Sequence, residues 1–280
     1  MSSLADEFEI VTVASGARSV RSREHGETFH PVIGPMAEAR TLHVEQQRLV
    51  ERAGETVGDF VIWDVGLGAA ANAVAVLEAF AGFSGTATVR LHSFDVTTAP
   101  LAFAVANADA LGYLAAHRAG VAGLLETGRS LCGSVDWRLH AGDFRELLDV
   151  PPAPHAIIFD PYSPKANPEL WTLDHFTALF AALDPGRGCL WSNYTRSTAV
   201  RVTLLLAGFF VGVGAATGEK DQTTLASNTL DLLTAPLDRA WLERVRRSTA
   251  AAPLRIGEPA APISEDDWRM LCAHPQFARG

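Results

Sequence analysis

VIWDVGLGAAANAVA, at residues 61–75, is the stretch that decides the fold. A hydrophobic run containing Asp64 leads into a Gly-x-Gly turn at Gly66 and Gly68, and alanine-rich sequence suited to a helix follows. Glycines adopt the dihedral angles of a tight turn and let the backbone approach a ligand, while the next helix offers free N–H groups. By itself, Gly-x-Gly favours a buried turn over a cofactor site. The order strand, turn and helix predicts an α/β unit.

The same alternation continues along the chain. Short hydrophobic runs predict five strands, at residues 61–65, 88–95, 135–143, 155–160 and 188–194. Helical sequence lies between several of them, at residues 71–80, 101–117 and 168–183. Two further runs, at 207–218 and 223–233, predict a β-hairpin after the fifth strand. Strands that alternate with helices indicate an α/β fold with a mostly parallel sheet covered on both faces.

The chain divides into three predicted parts. Residues 1–58 form an N-terminal extension with short strands and a helix near 37–53, and residues 59–235 form the main domain. Residues 236–280 form a C-terminal helix and tail, in which Ser264 and Asp267 predict a capping box at the start of a short helix.

Composition limits the possible partners and compartments. The net charge of −9 over 280 residues argues against a protein that holds nucleic acid along its whole surface, but it permits a local contact around one pocket. No apolar run approaches the ~20 residues that span a bilayer, and the acidic N-terminus does not resemble a secretory signal. Three widely spaced cysteines suit reduced thiols. We therefore expect a cytoplasmic protein without a membrane partner.

Acidic residues end three more of the predicted strands. In an open α/β sheet, ligands bind beyond the carboxyl ends of the strands. Asp95 ends the second strand, where an acid binds ribose hydroxyls in dinucleotide folds. Asp143 and Phe144 follow the third strand, where they are placed to contact a base. Each acid is also a good helix cap, but several in succession favour a cofactor site.

The ligand predicted from these residues is S-adenosylmethionine. Ala71 stands where the third glycine of G-x-G-x-x-G would be, so a pyrophosphate cradle is poorly supported. Acids near the strand ends suit a cationic ligand, and S-adenosylmethionine carries a sulfonium and an ammonium with no phosphate.

The fourth strand ends in the most unusual stretch, FDPYSPKANPELW. Asp160 lies where a general base or substrate anchor would stand beside a cofactor methyl group, and Tyr162 offers a ring. Pro161 and Pro164 restrict the backbone around both residues. The alternative is a rigid turn before a helix that begins at Pro168, which does not explain Asp160-Pro-Tyr.

Six segments together resemble the methyltransferase domain of the bifunctional tRNA-modifying MnmC enzymes and its stand-alone relatives. They are GETFHPVIGPMAEARTLHVEQ (26–46), WDVGLGAAANAVAVLEAF (63–80), HSFD (92–95), AGDFREL (141–147), FDPYSPKANPELWT (159–172) and LLLAGFFVGVGAATGEKDQTTLAS (204–227). The resemblance implies a Rossmann-like fold, S-adenosylmethionine as cofactor, and methylation of the aminomethyl nitrogen of a modified wobble uridine in tRNA. The acceptor tRNA would make a local contact only.

The resemblance also implies roles for individual residues. Gly66 and Gly68 line the cofactor, Asp95 binds its ribose, Asp143 binds its adenine, and Asp160 stands by the methyl group and the amine. The remaining predicted site residues are Asp64, Asn72 and Phe144 as cofactor contacts and Tyr162 as a catalytic residue that stacks on the uracil or shapes the pocket.

The glycine loop departs from the family. The usual Gly-Phe-Gly-Thr-Gly-Leu-Asn is here Gly66-Leu-Gly-Ala-Ala-Ala-Asn72, without the hydroxyl and the third glycine. Two other hypotheses therefore stand beside the tRNA methyltransferase. One is a methyltransferase for a small metabolite, and the other is a catalytically inactive binding protein of the same fold.

Two histidines in the N-terminal extension, His25 and His30, could be mistaken for metal ligands. No cysteine or acid stands at metal-ligand spacing from them, so no metal is expected. We expect both histidines to shape a pocket lid, and Glu27 and Glu45 either to do the same or to lie at the surface.

Overall fold

The computed structural model describes residues 4–217 and 221–278. Residues 218–220 lie outside the described residues. They belong to the segment 204–227 that resembles the family, and Gly218 is also the last residue of the first run of the predicted hairpin. Residues 1–3 of the predicted extension and 279–280 of the predicted tail also lie outside the described residues.

The described residues form one large sheet and one small one. The small sheet is an antiparallel pair of β1 (Phe8–Thr12) and β2 (Arg18–Ser22). The large sheet has eight strands: β3 (Asp59–Val65), β4 (Thr88–Asp95), β5 (Arg129–Cys132), β6 (Val135–Ala141), β7 (Ala156–Phe159), β8 (Leu190–Asn193), β9 (Phe210–Gly214) and β10 (Thr223–Ser227).

The strand order of the large sheet is β5-β6-β4-β3-β7-β8-β10-β9. The five central strands from β6 to β8 are parallel, and the three others pair antiparallel with their neighbours. The predicted α/β fold with a mostly parallel sheet and a C-terminal hairpin is therefore confirmed. In the hairpin, β10 pairs with β8, so that β9 forms the edge.

Helices cover both faces of the sheet. They are α1 (Leu4–Glu7), α2 (Pro35–Ala39), α3 (Leu49–Gly54), α4 (Ala71–Ala79), α5 (Ala99–Ala106), α6 (Ala108–Leu111), α7 (Arg118–Thr127), α8 (Leu173–Ala181), α9 (Thr198–Leu206), α10 (Arg239–Arg246), α11 (Glu265–Cys272) and α12 (Pro275–Ala278). In the described part of the chain, no helix has both the length and the apolar character needed to span a bilayer.

Strand β3 shows why the sheet is buried on both sides. Side chains alternate between the faces of a strand. Phe60 and Ile62 join the core beneath α4, α5 and α7, whereas Val61, Trp63 and Val65 join the core beneath α8 and α9. A strand buried on both faces reads as a continuous hydrophobic run, which is the pattern seen in the sequence.

Two predicted helices are interrupted. The helix expected near 37–53 consists of α2, a π-helix at Arg40–Glu45 and α3, and it breaks at Arg48, whose φ is +50°. The helix expected at 101–117 begins earlier as α5 and gives way to α6 and a 3₁₀ turn at Ala115–His117. Helix α6 ends at Gly112, because its φ of +80° is not helical. Glycine adopts this conformation without the cost that a side chain would impose.

Three smaller differences concern loops and the sheet edge. The helix expected from residue 168 starts as a 3₁₀ turn at Pro168–Trp171, and α8 begins after Thr172, whose hydroxyl accepts the His175 N–H. The 223–233 run leaves the sheet after β10 and forms a 3₁₀ turn at Leu230–Leu232. Strand β5 was not predicted, because its residues alternate between exposed and half-buried positions and lack a hydrophobic run.

The C-terminal segment packs against the helical layer. Leu254 accepts a hydrogen bond from Leu173 N–H and donates its own N–H to Thr203. Ser264 caps α11 by accepting the Asp267 N–H at 3.1 Å. The capping box is only half formed, because the Asp267 carboxylate accepts the Ser264 hydroxyl and pairs with Arg255.

Candidate active site

A cavity of about 830 Å³ lies beyond the carboxyl ends of β3, β4, β6 and β7. Its size is typical of sites that bind cofactors and small ligands. The turns after these four strands form its floor, and the segment between β2 and α2 contributes its opposite wall. The predicted site residues that line it are Gly66, Gly68, Asp95, Asp143, Phe144, Asp160 and Tyr162.

The two glycines of the turn after β3 have positive φ, as the predicted tight turn requires. Gly66 has φ of +88°, and a β-carbon there would stand 2.7 Å from the carbonyl oxygen of Asp160. Gly68 has φ of +52° and faces the ring of Phe29. Both positions therefore favour glycine for conformation, and Gly66 also requires it for space.

The loop from Gly66 to α4 keeps a left-handed backbone although alanines occupy residues 69–71. Ala70 has φ of +63°, in the left-handed region, and immediately precedes α4. Its N–H donates to the Leu67 carbonyl at 2.8 Å, and the Tyr113 hydroxyl donates to the Ala69 carbonyl at 2.9 Å. Ala70 occupies the position of the family's third glycine, so alanine is held here in a glycine-like backbone.

Asp95 ends β4 at the edge of the cavity. Gly68 N–H donates to one carboxylate oxygen at 2.9 Å and Thr97 N–H to the other at 3.2 Å. Burial raises the pKa of Asp95, and these backbone donors oppose that shift. Thr98 occupies the N-cap position of α5, without a side-chain capping bond, so Asp95 is not the cap of this helix. A carboxylate has about four acceptor positions, so Asp95 can still accept hydroxyls.

Asp143 and Phe144 follow β6. The Asp143 carboxylate accepts the Arg145 N–H and pairs with the Arg145 guanidinium, which holds the pKa of that carboxyl below its usual range. Asp143 thus caps the 3₁₀ turn at Phe144–Glu146 and lines the cavity as well. The Phe144 ring packs edge-on against Phe94, with 4.8 Å between ring centroids.

Asp64 and Asn72 are not among the residues that line the cavity. Asp64 is fully buried and accepts the Ser93 hydroxyl at 2.7 Å. Burial, and then the charges of Asp160 and Asp95, raise the pKa of Asp64 to about 7 against the opposing Ser93 hydrogen bond. Asn72 is 3% exposed and donates its side-chain N–H to Asp160 at 2.8 Å.

Asp160 and Tyr162 lie on a loop that is fixed at several points. Asp160 N–H donates to the Val65 carbonyl at 2.8 Å. The Tyr194 hydroxyl donates to the Pro161 carbonyl at 3.1 Å, and Trp171 Nε1 donates to the Tyr162 carbonyl at 3.0 Å. These bonds hold the loop rigid and leave the side chains of Asp160 and Tyr162 at the cavity wall.

The segment between β2 and α2 covers this loop. The His25 ring lies 4.3 Å from the Tyr162 ring, and Phe29 lies 5.7 Å from it, measured between centroids. The Glu27 carboxylate accepts both the N–H and the hydroxyl of Ser163. Burial raises the pKa of Tyr162 to about 12, so Tyr162 is a neutral ring at physiological pH.

The remaining expectations for the N-terminal extension have different outcomes. His30 lines the cavity with Glu38, whereas Glu45 is exposed and is not among the lining residues. Within residues 4–217 and 221–278, no three His, Cys, Asp or Glu side chains are grouped so that they could hold a metal ion.

The cavity wall is strongly acidic. One arginine, Arg145, is present together with His25 and His30. The acids that line the wall are Glu7, Glu24, Glu27, Glu38, Asp95, Asp143, Asp160 and Glu169. Such a wall favours cationic ligands and opposes phosphates. Asp95 lines this wall at the strand end where a ribose contact is predicted, and the turn after β3 lacks the third glycine of a G-x-G-x-x-G loop. The residues present therefore fit S-adenosylmethionine.

Sequence reasoning missed three residues of this region: Glu38, Tyr113 and Tyr194. Tyr113 and Tyr194 come from distant segments and carry no local motif, so only the tertiary structure brings them here. Glu38 lies inside the segment 26–46, whose resemblance to the family was the available signal.

Comparison with known proteins agrees with this geometry. A family model described as S-adenosyl-L-methionine-dependent methyltransferase matches residues 122–229. The crystal structure of MnmC2 from Aquifex aeolicus superposes with a TM-score of 0.70 at 24% identity, over 95% of this chain and 84% of that one. The latter match concerns the fold alone.

Curated relatives are bifunctional proteins named for tRNA 5-methylaminomethyl-2-thiouridine biosynthesis, MnmC. The protein from Ectopseudomonas mendocina is 28% identical over 283 residues, which is 92% of this chain and 42% of that protein. The protein from Pseudomonas fluorescens is 30% identical over 206 residues, which is 68% of this chain and 30% of that protein. The chain thus spans less than half the length of these relatives.

Fold, cavity and comparisons together define the class: the chain has the fold of the methyltransferase MnmC2, and residues 122–229 match the model of S-adenosylmethionine-dependent methyltransferases. Within this class, the chain is similar to the MnmC proteins in sequence and to MnmC2 in fold. The predicted fold, cofactor and family resemblance are confirmed.

Proposed function

We propose that this protein transfers a methyl group from S-adenosylmethionine to the aminomethyl nitrogen of a modified wobble uridine in tRNA. The observation that carries the proposal is the position of Asp160 and Tyr162 on a rigid loop at the cavity wall, beside the turn at Gly66. The MnmC relatives, which are named for tRNA 5-methylaminomethyl-2-thiouridine biosynthesis, support tRNA as the acceptor. A tRNA acceptor would also place the protein in the cytoplasm.

Cofactor binding is assigned to the strand ends. Gly66 and Gly68 let the backbone approach the cofactor, Asp95 accepts the ribose hydroxyls, and Asp143 and Phe144 contact the adenine. Because Asp64 and Asn72 lie behind the cavity wall, we propose that they act indirectly. Asp64 braces β3 against Ser93, and Asn72 holds the Asp160 carboxylate.

The chemistry needs a neutral amine in line with the methyl group. S-adenosylmethionine supplies an electrophilic methyl group on a sulfonium. The nitrogen lone pair forms the new N–C bond as the C–S bond breaks, and the bonding pair remains on sulfur. Asp160 orients the amine and takes part in removing its proton. Positioning of the reacting atoms accounts for most of the rate. Tyr162 offers a face on which a base can stack.

We further propose that the predicted parts have distinct tasks. Residues 59–235 form the methyltransferase domain, residues 1–58 complete the cavity, and residues 236–280 brace the helical layer. Contacts of Glu27 with Ser163 and of Leu254 with Leu173 support this division.

A second candidate is methylation of a small cationic amine. The eight acids of the cavity wall favour it, since they attract an ammonium group but repel the phosphates of a polynucleotide. This candidate requires turnover without RNA.

The deciding experiment incubates the protein with labelled S-adenosylmethionine and tRNA from cells that lack this methylation. Digestion should yield the label in the methylaminomethyl nucleoside, and the rate should fall as salt rises. Label in added small amines but not in tRNA would replace the proposal by the second candidate. If calorimetry shows no binding of S-adenosylmethionine or S-adenosylhomocysteine, the chain is an inactive binding protein of this fold.

A further inference from the structure

One histidine is enclosed between two carboxylates at the cavity wall. His30 Nε2 lies 3.6 Å from Asp160 Oδ2, and His30 Nδ1 lies 3.9 Å from Glu38 Oε1. The His30 side chain is 9% exposed, and those of Glu38 and Asp160 are 8% and 13% exposed. The imidazole thus joins an acid from α2 to the acid that follows β7.

The backbone of His30 is held in an unfavourable conformation. Its φ is +49°, in the left-handed region that residues with a β-carbon disfavour. It also precedes Pro31, and a residue before proline favours extended conformations. Backbone strain of this kind concentrates at functional sites. Here it points the ring between the two carboxylates.

The charged groups around His30 make it a buried cation. It faces Asp160 and Glu38, with Asp64 contributing from behind the wall. Burial alone lowers the pKa of His30, but these acids outweigh it and raise the pKa to about 9. Burial, and then the charge of His30, lower the pKa of the neighbouring His43 to about 3, so His43 is neutral.

We propose that His30 is a positioning residue that keeps the Asp160 carboxylate ionised and directed at the acceptor amine. An opposite charge within ~4–6 Å favours the ionised form of a carboxyl group. Glu38 fixes the other side of the imidazole, and Asn72 holds Asp160 Oδ2 at 2.8 Å. The catalytic part of this proposal rests on the proposed function, whereas the charge arrangement can be tested without catalysis.

The first test uses nuclear magnetic resonance on the full chain with labelled histidine. The His30 ring should titrate with a midpoint well above the ordinary 6.5, and Asp160→Asn should lower this midpoint by about 1 to 3 pH units. A midpoint at or below 6.5, or one that Asp160→Asn does not move, would overturn the proposal. This measurement remains informative even if no acceptor is methylated.

The second test is the pH dependence of kcat/KM for methyl transfer in His30→Asn. Asparagine tolerates the left-handed backbone but carries no charge. Without the His30 cation, the pKa of Asp160 should rise. The acid limb of the profile, where kcat/KM falls as Asp160 is protonated, should therefore move to higher pH by about 1 to 3 units. On the acid limb, below both pKa values, kcat/KM should fall about tenfold for each unit of this shift, whereas at pH 8 it should change little.

The matched control is His117→Gln. His117 lies 3.7 Å from Glu78 and is not among the residues that line the cavity, so its variant should keep the parent profile. Glu38→Gln provides a second variant if His30→Asn does not fold: loss of this acid should lower the His30 midpoint in the first test, and an unmoved midpoint would overturn the charge arrangement. Loss of activity with an unmoved acid limb would mean that His30 is only structural. An inactive parent enzyme would instead contradict the proposed function.

Discussion

The neighbouring strands β3 and β7 each lead into a turn with an acid close to the strand end, yet the two acids occupy opposite environments. Asp64 lies inside β3, level with Ile158, and is fully buried. Asp160 comes one residue after β7 ends and lines the cavity. Position along the strand therefore decides whether a carboxylate supports the sheet or faces the ligand, although the residue type is the same.

Asp160→Asn should have the largest effect on activity, because Asp160 is the acid that faces the cavity. We expect the methylation rate to fall by roughly 10²–10⁴-fold, the usual contribution of a general base. Affinity for S-adenosylmethionine should change much less. Single-turnover assays and calorimetry measure the two quantities separately. A variant that methylates at the parent rate would remove Asp160 from the mechanism.

Gly66→Ala tests how tightly the two turns fit together. Its β-carbon would meet the carbonyl oxygen of Asp160 at 2.7 Å and Pro161 Cα at 2.9 Å, both in the backbone, at a φ of +88°. Crowding and the left-handed backbone together should lower the free energy of unfolding by about 3 kcal/mol. Denaturant titration measures this change.

Gly112→Ala is the control for Gly66→Ala, because Gly112 has φ of +80° with open space around it. It should lose only about 1 kcal/mol of unfolding free energy, from the backbone. Equal losses in the two variants would show that the turns are not in close contact.

Asp64→Asn should stabilise the protein, in a way that depends on pH. The folded-state pKa of Asp64 is raised from 3.8 to about 7, so the native state holds a proton that the unfolded chain releases. The free energy of unfolding therefore decreases as pH rises from about 4 to 7, because Asp64 must ionise in the folded interior. Asparagine removes the ionisation, and we expect a gain of about 1 to 2 kcal/mol at pH 8 and almost none at pH 4.

Urea unfolding of Asp64→Asn and the parent at both pH values checks this prediction. A variant that is less stable than the parent at pH 8 would mean that Asp64 is ionised and well paired in the fold.

Ala70→Gly should give the smallest effect, also a gain. Ala70 has φ of +63°, and glycine adopts this conformation without the cost that a β-carbon imposes. Stability should rise by about 0.5 to 1 kcal/mol, with S-adenosylmethionine affinity unchanged or higher. Thermal unfolding with calorimetry tests both. In contrast, Ala75→Gly within α4 should lose about 1 kcal/mol.

Much of the fold could be predicted from the sequence because the signal is local. The five parallel strands are continuous hydrophobic runs, since both faces of the sheet are buried, and they occur within a few residues of the predicted positions. The breaks at Arg48 and at Gly112 were not predicted. Helical periodicity reports the buried face, but a single left-handed residue can end a helix within that pattern.

The sequence by itself determined which acids and glycines stand near strand ends and, through its motifs, the family resemblance and the expected cofactor. Only the tertiary structure decided that Asp160 faces the cavity while Asp64 and Asn72 lie behind it, because burial depends on strand register and on neighbouring elements. It also brought His30 and Glu38 to Asp160, 130 and 122 positions away in the chain. No periodicity encodes such a meeting, since it depends on how the N-terminal segment packs over the sheet edge.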